Sequence, residues 1–181
     1  MNLPSLPPAS SDLWVFGYGS LIWNPGFAYV ERHKARLEGW NRRLCVWSHV
    51  YRGTPGAPGL VFGLDQGGAC VGVAFRVEAR AKAQTIAYLR ARELVTHVYR
   101  EIEAPAVLDN GERIVATTYV ADVAHPQFAG EPSREETLRI VRRSRGKSGP
   151  NVDYVLNTRA ELAKLGIDDE ELDWLCERLS G

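Results

Sequence analysis

Six short runs rich in β-branched, aromatic and apolar residues crowd into the span between residues 13 and 123, whereas the capped helical patterns come almost entirely after Ser133. The runs cover residues 13–18, 43–47, 60–64, 70–77, 96–102 and 114–123. Between them lie turn-rich pieces at 52–59 (RGTPGAPG), 66–68 and 109–111, the last an Asp-Asn-Gly of hairpin type. Short turns of this kind favour antiparallel pairing, and strands placed early with helices placed late exclude an alternating βαβ chain. A single helical pattern, 79–94, interrupts the strands. The others are 133–145, opening with a Ser-x-x-Glu box (Ser133, Glu136), 150–165, closed by Gly166, and a last helix starting at Asp168 with a Leu172, Leu175, Leu179 stripe. The expected fold is α+β, a small antiparallel β-barrel or curved mixed sheet of about six strands covered by helices. With 181 residues, one domain over 13–181 is expected, preceded by a flexible Pro- and Ser-rich tail at 1–12.

Composition narrows the function classes. Lys plus Arg and Asp plus Glu each number 22, so the formal charge is zero and no global field collects nucleic acid or anionic lipid. No window approaches the roughly 20 apolar residues of a membrane span, and the first residues lack an export signal. No nucleic-acid or membrane partner and a cytoplasmic location are therefore expected. Cys45, Cys70 and Cys176 form no C-x-x-C pair and read as buried hydrophobes or, alternatively, reactive thiols; His33, His49, His97 and His125 lack ligand spacing, so no metal site is expected.

Three features can carry chemistry. Val15-Phe16-Gly17-Tyr18-Gly19-Ser20-Leu21 is a strand running into a glycine-flanked turn, either a plain structural turn or a nest of backbone N–H groups for an anion. It is no dinucleotide fingerprint, since Ile22 stands where the third glycine belongs. Glu93 follows Ile86 and Leu89 at i+7 and i+4, which places a carboxylate on an apolar helix stripe near the negative end of the dipole. Two readings stand side by side: a general acid/base with a raised pKa, or an ion pair with Arg90. The basic run Arg134, Arg139, Arg142, Arg143, Arg145 and Lys147 is either a solvated face or a phosphate patch, and Tyr154 is either a core aromatic or a ligand contact.

Taken together, the ordered segments resemble the ChaC family of γ-glutamylcyclotransferases: Val-Phe-Gly-Tyr-Gly-Ser-Leu-Ile-Trp at 15–23, Arg-Gly-Thr-Pro-Gly-Ala-Pro-Gly at 52–59, Gly72-Val73-Ala74-Phe75, Tyr88-Leu89 before Arg92-Glu93, and Ser148-Gly149 with Asn151 and Tyr154. The resemblance implies a glutamate base at Glu93, a substrate loop over Val15, Phe16, Gly17, Tyr18, Gly19, Ser20 and Leu21, a further contact at Tyr154, and no cofactor. It implies a lyase of glutathione catabolism, whose small-molecule substrate, reduced glutathione, closes on itself to 5-oxoproline and releases cysteinylglycine. Other γ-glutamyl peptides or γ-glutamylamines are the alternative substrates, and a γ-glutamyl-binding regulatory module without turnover is the alternative class. The chain departs from the family pattern at His49-Val50-Tyr51-Arg52-Gly53 and at Phe128-Ala129-Gly130-Glu131.

Overall fold

The structure, a computed structural model, describes residues 11–181. Strand β1 (Leu13–Gly17) passes through a 3₁₀ turn (Ser20–Ile22) to two long strands, β2 (Glu31–Ser48) and β3 (Gly59–Val77). A 3₁₀ turn (Ala79–Ala81) then leads into helix α1 (Lys82–Glu93), followed by β4 (Tyr99–Leu108) and β5 (Arg113–Ala121). The C-terminal part holds α2 (Arg134–Arg143), a small hairpin of β6 (Arg145–Gly146) and β7 (Gly149–Pro150), α3 (Asn151–Lys164) and α4 (Glu170–Leu179).

The five long strands close into a barrel in the order β1-β3-β2-β4-β5. Every pairing is antiparallel except the one that closes it, where β1 meets β5 in parallel at Val15 and Thr117. β1 is buried on both faces, with Val15 and Phe16 in two different core clusters, so its unbroken apolar run is that of an interior strand. At Gly72 an added Cβ would stand 2.3 Å from the Gly17 carbonyl, so the close approach of β1 to β3 requires a glycine there. The main core joins barrel residues such as Leu37, Leu64 and Phe75 to Val155 and Leu162 of α3 and Leu172 and Leu175 of α4.

The α+β barrel covered by helices agrees with expectation, but the strand inventory differs. The runs at 60–64 and 70–77 are one strand, and Gln66-Gly67-Gly68, expected as a turn, is a bulge inside it. The register jumps from Glu38 opposite Ala69 to Trp40 opposite Gln66, and Gly39, Gly67 and Gly68 all take positive φ at the jump. The first half of β2 gave no strand signal because its outward positions are Glu31, Arg32, Lys34 and Arg36, with only Ala35 and Leu37 fully turned inward. The Asp109–Gly111 hairpin turn joins β4 to β5 as expected, with Gly111 at φ +86°.

Helix caps follow the sequence with one shift. Ser133 accepts from the Glu136 N–H at 3.1 Å, and Gly166 sits in the left-handed region just past α3. For α4 the cap is Asp169 rather than Asp168; it accepts the Leu172 N–H at 3.0 Å. Of the segment expected to be a tail, residues 1–10 lie outside the described residues. Asp12 is tied down by the Ala79 N–H at 2.9 Å and by Arg76. Among the described residues no helix is long and apolar enough to cross a membrane.

Candidate active site

Where β1 ends, the chain turns outward through Tyr18 and Gly19 into the 3₁₀ turn. Tyr18, Gly19, Ser20 and Leu21 form one wall of a cleft of about 500 Å³, counted to its open mouth, whose other walls are Val61, Phe62, Glu93, Tyr99, Tyr119 and Tyr154. The turn's own hydrogen bonds use the carbonyls of Gly19 (from Ile22 N–H, 2.9 Å) and Ser20 (from Asn24 N–H, 2.8 Å). The N–H groups of Gly19, Ser20 and Leu21 are the leading donors of a helical turn and take no part in it. An added Cβ on Gly19 would meet nothing within 4 Å, so this backbone faces open space. Val15, Phe16 and Gly17 do not line the cleft: they belong to β1, behind the wall, where they hold the turn in place.

Glu93 is the last residue of α1, one turn beyond the fully buried Leu89. Its side chain is 19% exposed. Burial pushes its carboxyl above the ordinary glutamate range, and the Arg92 guanidinium, with Nε 3.2 Å from Oε1, offsets part of that rise. The alternative partner is engaged elsewhere: Arg90 donates twice to Glu101 on β4, from Nε at 2.9 Å and Nη2 at 2.8 Å. Tyr119 also donates to Glu101, at 3.0 Å. Residues 90 and 93 share a helix, yet the β4 carboxylate captures the arginine and leaves Glu93 to the cleft.

Arg92 does more than sit beside the carboxylate. Its Nη2 donates to the Ser20 hydroxyl at 3.0 Å and its Nη1 to the Asn24 carbonyl at 2.6 Å. One guanidinium thus joins the turn after β1 to the end of α1, the two elements that meet across the cleft.

The aromatic lining is tertiary. Tyr99 donates to the Phe62 carbonyl at 2.7 Å, while Tyr154 accepts the Phe62 N–H at 2.9 Å, so the two hydroxyls clamp one residue of β3 from both sides. Desolvation holds the pKa of Tyr18, Tyr99, Tyr119 and Tyr154 above the usual phenol value. At neutral pH the cleft therefore contains protonated phenol hydroxyls beside the carboxyl group of Glu93. Tyr154, open as core aromatic or ligand contact in the sequence, packs on Phe62 and also lines the cleft. Tyr99, Tyr119, Val61 and Phe62 escaped sequence reasoning, since nothing local in a strand marks which alternate positions face a cavity.

The two stretches that depart from the family pattern lie differently. Arg52 stands 5.6 Å from the centroid of the Tyr154 ring and donates to the Pro150 carbonyl at 3.1 Å, so it borders the cleft through Tyr154. Phe128 and Ala129 pair with β2 at Val46 and Cys45; they do not line the cleft, although Phe128 packs on the same small cluster as the cleft-lining Val61 and Tyr99. Cys45 and Cys70 are buried, and burial pushes the Cys45 thiol up to about 12, so it stays an inert hydrophobe. The basic run is solvent-exposed, and half of it is paired: Arg134 bridges to Glu171, Arg139 to Glu136, and Arg142 donates to the Arg178 carbonyl.

A second groove of similar size lies between β2 and the C-terminal helices, lined by Arg42, Arg43, Asp169, Glu171 and Trp174 among others. Its carboxylates are neutralised, Asp169 by Arg42 and Glu171 by Arg134. The Glu93 cleft, unlike this groove, sets a desolvated carboxyl group beside the leading N–H groups of a turn. Among the described residues no group of His, Cys, Asp and Glu could hold a metal ion.

The chain matches known proteins over most of its length. The family model described as ChaC-like protein matches residues 13–180. The glutathione-specific gamma-glutamylcyclotransferase of Escherichia coli (strain K12) is 32% identical over 166 residues, covering 92% of this chain and 72% of its own. The protein of the same name from Schizosaccharomyces pombe is 34% identical over 183 residues, covering 90% and 86%. A yeast gamma-glutamyl cyclotransferase specific to glutathione, known from its crystal structure, shares the fold with a TM-score of 0.80 at 24% identity, covering 94% of this chain and 98% of that chain.

Proposed function

The chain belongs to the ChaC family, and from that premise we propose that it is a γ-glutamylcyclotransferase that degrades reduced glutathione in the cytoplasm, a carbon–nitrogen lyase with Glu93 as its acid/base. The observation that carries this reading is a desolvated carboxylate facing, across one small cleft, a turn with unused N–H groups. The names of the E. coli and S. pombe relatives supply the substrate.

The reaction asks little of the protein beyond what the cleft holds. The substrate's α-ammonium gives a proton to the Glu93 carboxylate and the freed amine attacks the γ-amide carbonyl carbon. A five-membered ring closes and negative charge moves to the carbonyl oxygen. Glu93 returns the proton to the departing nitrogen as the carbon–nitrogen bond breaks, then takes the second proton from the ring nitrogen and passes it to the released amine, leaving 5-oxoproline, cysteinylglycine as its ammonium form, and Glu93 as it began. A carboxyl pKa raised by burial suits both directions of this transfer. The N–H groups of Gly19, Ser20 and Leu21 serve the oxyanion or the α-carboxylate, and removing one such donor costs on the order of 10²–10³ in rate. Tyr154 and the Val15–Leu21 segment, the latter through its cleft-lining end, hold the γ-glutamyl chain curled for attack. No cofactor enters any step.

Incubation of the purified protein with reduced glutathione, followed by mass spectrometry of 5-oxoproline and cysteinylglycine, tests this against a Glu93→Gln control. Loss of a general acid/base is expected to lower kcat by about 10²–10⁴ with folding intact. A Glu93→Gln enzyme keeping more than about a tenth of wild-type kcat removes Glu93 from the role. A panel of γ-glutamyl dipeptides and γ-glutamylamines ranks the alternatives by kcat/KM, and ligand binding without product by any of them marks a regulatory module.

A further inference from the structure

The buried Arg42 and the capping residue of the last helix reach the Glu93 cleft through one peptide group. Arg42 lies on β2 just past the bulge, and its side chain is 3% exposed. Its Nε donates to the Tyr18 carbonyl at 2.7 Å, its Nη2 to the Val71 carbonyl at 2.7 Å, and its Nη1 to Asp169 Oδ2 at 3.1 Å. The other carboxylate oxygen of Asp169 caps α4. All the peptide bonds described are trans. In a trans peptide unit the C=O and the following N–H point in opposite directions. Fixing the Tyr18 carbonyl towards Arg42 therefore fixes the Gly19 N–H away from it. The surroundings agree: Arg42 lines the groove under the C-terminal helices, whereas Gly19 lines the cleft with Glu93. Gly19 has no side chain to resist a flip of this peptide, so a clamp is needed from outside.

We propose that Arg42, held by Asp169, is a positioning residue that orients the Tyr18–Gly19 peptide so that the Gly19 N–H faces the substrate, which makes the start of α4 part of the catalytic apparatus. This rests on the cyclotransferase reading. Arg42 touches no substrate and acts only through the peptide.

Three variants separate positioning from simple stability. Arg42→Met removes the clamp, Arg42→Lys keeps the charge without the planar fork, and Asp169→Asn keeps a good helix cap while withdrawing the charge from Arg42. For folded Arg42→Met, kcat/KM with glutathione is expected to fall about 10²-fold, and for the other two about tenfold, with the pH midpoint set by Glu93 unmoved. A fall carried in kcat places the Gly19 N–H on the oxyanion; one carried in KM places it on the α-carboxylate. A lowered Tm with kcat/KM within about threefold of wild type in all folded variants overturns the proposal. If Arg42→Met does not fold, Arg42→Lys and Asp169→Asn decide by the same criterion.

A wild-type protein that forms no 5-oxoproline defeats the cyclotransferase reading instead. The clamp is then read directly by NMR, from the Tyr18 carbonyl carbon and the Gly19 amide nitrogen. Shifts at both in Arg42→Lys support the orientation, and unchanged resonances overturn it.

Discussion

Glu93 is held at a cost in stability that its chemistry explains. Burial raises its folded pKa above the value in the unfolded chain, so the folded state binds this proton more tightly. The resulting contribution to stability is complete below the unfolded pKa and is lost as pH rises through the folded one. Once ionised, the group is a poorly solvated anion, balanced in part by Arg92. Glu93→Gln is therefore expected to raise Tm at pH 7, with the gain over wild type shrinking as the pH approaches about 4, where the native residue is protonated too. Differential scanning calorimetry at several pH values checks the trend; a gain that grows on acidification contradicts it. Glu101 behaves oppositely. Arg90 first, and Tyr119 after it, hold its pKa below the usual value, so its contribution is present above the unfolded pKa and lost as pH falls through the folded one.

Elements are joined by single polar residues at points the core does not reach. Asn151 opens α3, is fully buried, and pairs with both backbone groups of Leu60: Leu60 N–H to Oδ1 at 2.8 Å and Nδ2 to Leu60 O at 2.9 Å. The side chain thus extends the β3 ladder as a neighbouring strand would. Asn151→Ala strands two buried backbone groups, each costing about 1–3 kcal/mol, and the urea midpoint is expected to fall accordingly. Tyr154, one turn further along α3, clamps Phe62 two residues on in β3. The same helix face that fastens α3 to the barrel therefore builds one wall of the cleft. Tyr154→Phe removes only the acceptor for the Phe62 N–H, with an expected loss of about 1–3 kcal/mol; an unchanged unfolding midpoint would mean that water replaces the hydroxyl.

On the scale of the molecule, the barrel and the C-terminal helices share one core, in which Leu37, Leu64 and Phe75 meet Val155, Leu162, Leu172 and Leu175. The apolar faces of the two layers are buried against each other in that one cluster. Urea unfolding followed by far-UV and near-UV circular dichroism is expected to give coincident single transitions, and separated transitions would show the helices to be an independent unit. The Glu93 cleft and the groove under α4 share Phe62 as a lining residue, and Arg42, which lines the groove, donates to the carbonyl of Tyr18, which lines the cleft. In the proposed clamp this is the route by which the far end of the chain reaches the cleft.

Features encoded over a few residues were legible in the sequence: the Ser133 cap and the Gly166 stop, the Asp109–Gly111 hairpin, the apolar run of β1, and Glu93 on an apolar helix stripe. These depend on backbone conformation and side-chain period, which neighbours along the chain decide. What depended on register was hidden. The Gln66–Gly68 glycines are a bulge only because β3 continues against β2, and Arg90 leaves Glu93 for Glu101 only because β4 passes beside α1. The placing of Tyr99 and Tyr119 at the cleft, and the reach of Arg42 from β2 to Tyr18 and Asp169, join residues far apart in sequence. Such contacts carry no local signature. The amino-acid order established the elements and put Glu93 on an apolar helix stripe, whereas closure of the barrel decided which partners its carboxyl lacks, which hydroxyls surround it, and which way the neighbouring peptide faces.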